Sequence, residues 1–297
     1  MQAQPSIIAN CTLLCNLKCE HCYCSAGPKN NVSLTLEDFK QVIYDLKNMG
    51  IDSPPFFDIT GGEFLLLNYA SEISELVRSN FPSSSIILES NGLFLINDFK
   101  RYENIEFDRL HVSIDVFHSN LDNGERIIDN AIKLCKLKNA KLVINHIPDS
   151  SGLSDESCIR KAEQEKIEIN YFEFNTLAQI GRGLNLCRTK KGQKVHDNPS
   201  FFRCELGEAI FVNPDKNWYI CHYPTDSTLI GKIGGSNLHV NYNNFLKSSL
   251  YKKLCDKGLP TVYEEFCKKP SDIEKHFYNR CEPCIYLMNK ELLNFTQ

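Results

Sequence analysis

Near the start of the chain, Cys15, Cys19 and Cys22 stand in the run Cys15-Asn16-Leu17-Lys18-Cys19-Glu20-His21-Cys22. Thiolates spaced Cys-x3-Cys-x2-Cys can hold three corners of an iron–sulfur cube from one tight loop. A fourth cysteine would close the cluster and leave it an electron carrier. Three leave one iron open to an exogenous ligand, much as a catalytic zinc keeps one position free. Cys24 lies too close to Cys22 to reach the remaining corner easily. A structural zinc site on the same thiolates would need a fourth ligand, for which His21 is badly placed.

The chain has fourteen cysteines. Five lie in residues 11–24, three between 25 and 200, and six from 204 to 284. With no secretion signal, this argues against a disulfide scaffold and for two metal sites at opposite ends of the chain. Cys204 and Cys221 flank an expected hairpin made of 209–212, the turn Asn213-Pro214-Asp215-Lys216-Asn217, and 218–221. Cys281-Glu282-Pro283-Cys284 adds a compact pair. These four thiolates would close a cluster with no open iron, and zinc fits their spacing equally well. Cys255 and Cys267 fall in patterned segments and read as buried thiols, and Cys135 and Cys158 fall on apolar helix faces and read as core. Cys11, Cys24 and Cys187 stay without a role.

Further motifs fall at the ends of expected strands. Thr60-Gly61-Gly62-Glu63 offers glycines that let backbone approach a ligand closely, and a carboxylate able to accept from an ammonium group. Ser90-Asn91-Gly92, then Val112-Ser113-Ile114-Asp115 with Phe117-His118, and Ile180-Gly181-Arg182-Gly183 follow. Together with the cysteine run, these stretches resemble the radical S-adenosylmethionine (SAM) superfamily, with a C-terminal Twitch/SPASM-like auxiliary cluster domain.

The resemblance implies a chemistry. In that family the amine and carboxylate of SAM chelate the open iron, and one electron splits SAM into methionine and a 5'-deoxyadenosyl radical that takes hydrogen from a C–H bond. On this basis Cys15, Cys19 and Cys22 are the catalytic [4Fe–4S] ligands, and Gly61, Gly62 and Glu63 hold the methionyl amine. Ser90 and Asn91 match the family's Thr-Asn-Gly, with Ser in place of Thr. Ser113 and Asp115 lie near the ribose and carboxylate of SAM. His21 takes the position of the family's adenine-packing aromatic, and Arg182 that of its Gly-Arg step. Asn145 is a SAM contact or a loop cap, and His118 has a substrate role or caps a strand; Asp58 reads as structural. Cys204, Cys221, Cys281 and Cys284 would hold the auxiliary [4Fe–4S] cluster, although the hairpin has Asp215-Lys216 where the family usually has Asp-Gly. Glu208, four residues after Cys204, is a polar group near the substrate in the epimerase case.

The elements that must position these residues are legible in the periodicity. Strands are expected at 6–11, 56–60, 85–90, 110–114, 142–146 and 169–175, and helices at 36–49, 68–79, 126–138 and 154–166. Thr35 is the expected N-cap of the first helix, and Gly50 its stop. Strand–helix units in series predict a parallel sheet with right-handed crossovers. Six units predict a partial (β/α)6 TIM-like barrel, with chemistry at the C-terminal strand ends. Residues 181–200 read as a linker. They divide a core of 1–185 from an auxiliary lobe of 186–297.

Composition narrows the class. The 297 residues, 42% of them hydrophobic, can bury one substantial core and a smaller lobe. A net charge of −4 gives no footprint for nucleic acid or an anionic membrane. No signal peptide and no apolar stretch of spanning length is found, which places the chain in the cytoplasm. The expected activity is epimerisation or C–H crosslinking of a ribosomally made peptide. The alternative is dehydrogenation or epimerisation of a sugar or aminocyclitol. Because the barrel starts by residue 6, no leader-recognition domain is expected ahead of it. Flavodoxin or ferredoxin would be the electron donor. A non-catalytic iron or zinc protein would explain the cysteines but not Gly-Gly-Glu and Ser-x-Asp at successive strand ends.

Overall fold

The computed structural model describes residues 4–118, 123–147, 156–171, 209–221, 224, 228–266 and 284. The strands in chain order are β1 (Ser6–Asn10), β2 (Phe56–Thr60), β3 (Ser85–Ser90), β4 (Arg109–Ser113), β5 (Lys141–His146), β6 (Glu168–Tyr171), β7 (Ala209–Val212), β8 (Asn217–Tyr219) and β9 (Leu229–Lys232). The helices are α1 (Leu36–Asn48), α2 (Ala70–Asn80), the single turn α3 (Phe94–Asn97), α4 (Gly124–Lys138), α5 (Glu156–Gln164), α6 (Leu238–Lys247) and α7 (Ser249–Phe266). The expected linker, the end of the sixth expected strand beyond residue 171, and residue 267 onward except 284 lie outside the described residues.

α1 shows how local sequence sets these boundaries. The Thr35 side chain accepts from the Asp38 N–H, and Asp38 accepts in return from the Thr35 N–H, a reciprocal cap. At the other end Gly50, at φ +76°, lets its own N–H reach Lys47 O and that of Ile51 reach Leu46 O. This closes the last turn over the buried Leu46–Ile51 contact.

β1 to β6 form a parallel sheet in consecutive order, the partial (β/α)6 barrel that the periodicity predicts. Ile7, Ala9, Phe57, Ile59, Ile86, Leu88, Leu110 and Val112 point to the helix side and build one continuous core with α1, α2 and α4. Cys135 and Cys158 lie in that core as expected. The alternate strand positions, Asp58, Glu89 and His111 among them, turn to the concave face, opposite α1, α2 and α4.

The C-terminal hairpin extends this same sheet. β7 pairs parallel with β1, and β8 and β9 continue antiparallel, so the first strand lies inside a nine-stranded sheet rather than at its edge. Lys216 takes φ +64° in the hairpin turn, the left-handed position to which the glycine of Asp-Gly is suited.

Asp45 of α1 locks the hairpin in place. It is buried and accepts from Trp218 Nε1 at 3.1 Å, from the Gly234 N–H at 2.9 Å and from Gln41 Nε2 at 3.0 Å. Asp45→Ala leaves three donors unpaired and should cost about 2–4 kcal/mol of stability. Urea unfolding of the metal-free protein measures this; a loss under about 0.5 kcal/mol, the size of an ordinary surface change, would contradict it.

Candidate active site at the C-terminal strand ends

The cysteine run leaves β1 and is tied down on both sides before the first ligand. The Leu13 N–H donates to Val32 O at 2.8 Å, the Gly27 N–H to Leu13 O at 2.9 Å, and the Cys15 N–H to Gly27 O at 3.2 Å. On the other flank the Gly62 N–H donates to Thr12 O at 2.6 Å and the Glu63 N–H to Leu14 O at 2.8 Å. The two glycines are required by this contact. A Cβ on Gly61 would sit 2.6 Å from Thr12 O, and one on Gly62 only 2.2 Å from Leu14 O. The close approach read from Gly61-Gly62 is therefore made to the backbone that carries Cys15.

Cys15 is buried, and burial pushes its thiol up to about 11. The Leu17 N–H and the Asn91 amide point at its sulfur, at 3.4 and 3.9 Å. Cys19 and Cys22 are half-buried, and Cys22 Sγ lies 3.6 Å from Cys24 Sγ. Three thiols on one loop, with N–H groups aimed at the deepest sulfur, fit an iron–sulfur cluster: a soft cation holds such sulfurs as thiolates, and the donors stabilise that charge.

Glu63 connects this loop to the end of β3. It is fully buried; its carboxylate accepts from Ser90 Oγ at 3.2 Å and from the Asn91 N–H at 3.0 Å. Ser90 Oγ also meets the Tyr102 hydroxyl at 2.8 Å, and Asn91 Nδ2 donates to Asn16 Oδ1 at 2.8 Å. Glu63, Ser90 and Asn91 therefore brace one another and the cysteine loop.

Burial pushes the Glu63 carboxyl up from 4.5 to about 7, against the pull of the Asn91, Leu65 and Ser90 donors. Below about pH 4.5 the group is protonated in both states, and between 4.5 and 7 the unfolded chain loses the proton first. Stability of the metal-free protein should therefore fall as pH rises through this window. At about 1.4 kcal/mol per pKa unit the fall is about 3 kcal/mol. Urea unfolding at pH 4.5 and 8 should show this excess pH dependence in wild type relative to Glu63→Gln; equal dependence would contradict it.

At the end of β4 the carboxylate of Asp115 closes a short turn. Its Oδ1 accepts from the Phe117 N–H at 2.9 Å, the His118 N–H at 3.1 Å and His118 Nδ1 at 2.8 Å. Burial alone would raise the Asp115 carboxyl, but the hydrogen bond and charge of His118, aided by His21, hold it below the usual carboxylate range. Its Oδ2 is buried without a hydrogen-bond partner among the described residues. The His21 ring packs against Phe117 and His118, with centroids 4.9 and 4.8 Å apart. Ser113 ends the same strand. His21, Asp115 and His118 thus meet just beyond the end of β4, the strand that Ser113 closes.

Asn145, at the end of β5, donates to Glu89 Oε2 at 3.0 Å and accepts from Asn170 Nδ2 at 3.1 Å. Cys221 and Cys284 are half-buried against the core edge. Arg182, Cys204, Glu208 and Cys281 lie outside the described residues. Sequence reasoning missed Asn16, Glu89, Tyr102 and His111. Asn16 had a signal, because it sits inside the cysteine run; the others had none beyond strand alternation and burial.

The radical SAM superfamily model matches residues 9–149. Residues 9–149 thus carry a radical SAM domain, a family whose cofactors are SAM and a [4Fe–4S] cluster. Among individual proteins, it is 26% identical to the antilisterial bacteriocin subtilosin biosynthesis protein AlbA of Bacillus subtilis, over 95% of this chain and 71% of that protein. It is 25% identical to the GTP 3',8-cyclase of Lactiplantibacillus plantarum, over 80% of this chain and 76% of that one. The fold matches anSMEcpe with bound AdoMet at TM-score 0.59 and 16% identity, covering 97% of this chain and 96% of that structure. No helix among the described residues is long and apolar enough to cross a membrane.

Proposed function

We propose that this enzyme cleaves SAM reductively and takes a hydrogen atom from a C–H bond of a peptide. The observation that carries the reading is the direct coupling of Cys15's loop to Gly61-Gly62-Glu63 and, through Glu63, to Ser90 and Asn91. Cys15, Cys19 and Cys22 would hold the [4Fe–4S] cluster, which when bound supplies the electron that splits SAM. The Gly61–Glu63 backbone takes the methionyl end, Ser113 and Asp115 the ribose and carboxylate, and His21 the adenine. His118 orients Asp115 and stands toward the substrate.

A peptide is favoured over a nucleotide by the charge of the concave face. Asp58 and Glu89 lie there, and no lysine or arginine pairs with either among the described residues. A triphosphate would meet the Glu89 carboxylate, whose described partners are His111 and Asn145. The bacteriocin biosynthesis role in AlbA's name points the same way. Incubated with SAM and dithionite, the reconstituted enzyme should alter the mass or a stereocentre of a short peptide encoded beside its gene. GTP should be left unchanged; a cyclised GTP product would overturn the peptide reading.

For the C-terminal lobe, Cys204, Cys221, Cys281 and Cys284 would hold an auxiliary [4Fe–4S] cluster. Iron per chain should fall from about eight to about four in Cys281→Ala/Cys284→Ala. Unchanged iron, with zinc in the wild-type protein, would assign these thiols to zinc.

A further inference from the structure

One layer beneath the strand-end site, the concave face carries a row of polar side chains of which only Asn145 is among the expected SAM contacts. Glu89 on β3 is held by two neighbours: His111 Nδ1 on β4 lies 3.0 Å from Oε1, and Asn145 Nδ2 on β5 lies 3.0 Å from Oε2. Asn170 on β6 continues the row by donating to Asn145. With Nδ1 as the donor to Glu89, the neutral His111 ring offers Nε2 as an acceptor. That atom and Asp58 Oδ1 on β2 are both buried without a hydrogen-bond partner among the described residues.

The row is rich in acceptors and short of donors. Cations on this face are engaged further down: the Arg109 guanidinium lies over the Phe56 ring and Lys141 pairs with Glu168. Burial, with the charge of Glu89, drives the Asp58 carboxyl far above its usual range, so it holds a proton that a cation bound beside it would displace. Both carboxylates sit just before the strand-end motifs, Glu89 directly before Ser90-Asn91 and Asp58 two residues before Thr60. A group bound to them is therefore next to the site of hydrogen abstraction.

We propose that Glu89, with His111, Asn145 and Asp58, forms a substrate subsite that takes a cationic nitrogen, the ammonium of a lysine or the guanidinium of an arginine side chain. The subsite rests on the reading that the substrate meets SAM on the concave face, and it adds which side chain of a peptide is anchored there. Glu89 supplies the charge, His111 and Asn145 fix its orientation, and Asp58 shares the positive charge from the adjacent strands. Glu89 is a specificity-determining residue here, with no part in SAM cleavage.

The test uses reconstituted, SAM-loaded enzyme and three probes: the acetyl-methylamide derivatives of lysine, arginine and norleucine. Proton NMR line broadening reports weak binding of each. The lysine or arginine compound should broaden and the norleucine compound should not. Glu89→Gln, which keeps the shape and removes the charge, should weaken the cationic probe at least about tenfold, the loss of a charged hydrogen-bonded pair. Asp58→Asn should weaken it less. Equal broadening by norleucine, no broadening by any probe, or undiminished binding in Glu89→Gln would overturn the subsite. Failure of the wild-type enzyme to bind iron or cleave SAM would instead remove the radical SAM reading, so the two failures are separate.

Discussion

Gly62→Ala should lose the N-terminal cluster, with about four fewer irons per chain than wild type and all SAM cleavage lost while the fold is kept. The added Cβ would lie 2.2 Å from Leu14 O and 2.8 Å from Leu14 C, both backbone atoms. Neither strand can yield freely, because Gly62 and Glu63 donate to Thr12 O and Leu14 O at 2.6 and 2.8 Å. Relieving such an overlap costs about 1–3 kcal/mol or more, and the shift falls on the residue before Cys15. The sheet beneath is anchored by its own core, so far-UV circular dichroism should be retained. Iron and sulfide analysis after anaerobic reconstitution reads the outcome. Wild-type iron content and SAM cleavage in Gly62→Ala would contradict the coupling of the two segments.

The second large effect is expected at Asp115. Asp115→Ala removes the acceptor for the Phe117 N–H, the His118 N–H and His118 Nδ1, and releases the ring that packs on His21. Stability should fall by about 2 kcal/mol and SAM affinity at least about tenfold. Asp115→Asn separates the two effects. Its amide oxygen can still accept the turn's N–H groups, so stability should largely return. Its amide nitrogen replaces Oδ2, the buried acceptor left open for a ligand hydroxyl, so SAM affinity should not return. Equilibrium dialysis of SAM against both variants decides, and wild-type affinity in Asp115→Asn would remove Asp115 from the SAM contacts.

How much of this was legible in the sequence follows from which contacts are local. The capped helix from Thr35 to Gly50 and the six parallel strands could be read because each signal sits inside one element. The cysteine run and the motifs after β2, β3 and β4 could be read because a parallel sheet brings successive strand ends to one edge. The docking of β7 beside β1 was hidden, since a hairpin pattern tells where strands form and not which strand they join. Gly61-Gly62 was read as a place where backbone approaches a ligand, whereas the close approach in the structure is to another stretch of backbone. Its neighbour, the Thr12–Leu14 backbone, could be known only from the pairing of β1 with β2. Glu89 and His111 were invisible for the same reason: their hydrogen bond crosses strands 22 residues apart, and each looks like an ordinary inward-facing strand position.

The most direct measurement of the central claim is 5'-deoxyadenosine formed from SAM by anaerobically reconstituted, dithionite-reduced enzyme, for wild type and Cys19→Ala. The structure predicts 5'-deoxyadenosine and methionine in equal amounts from wild type and none from Cys19→Ala. An iron-loaded wild type that leaves SAM intact, or a Cys19→Ala variant that cleaves it equally well, would contradict the assignment of this loop as the SAM-cleaving site.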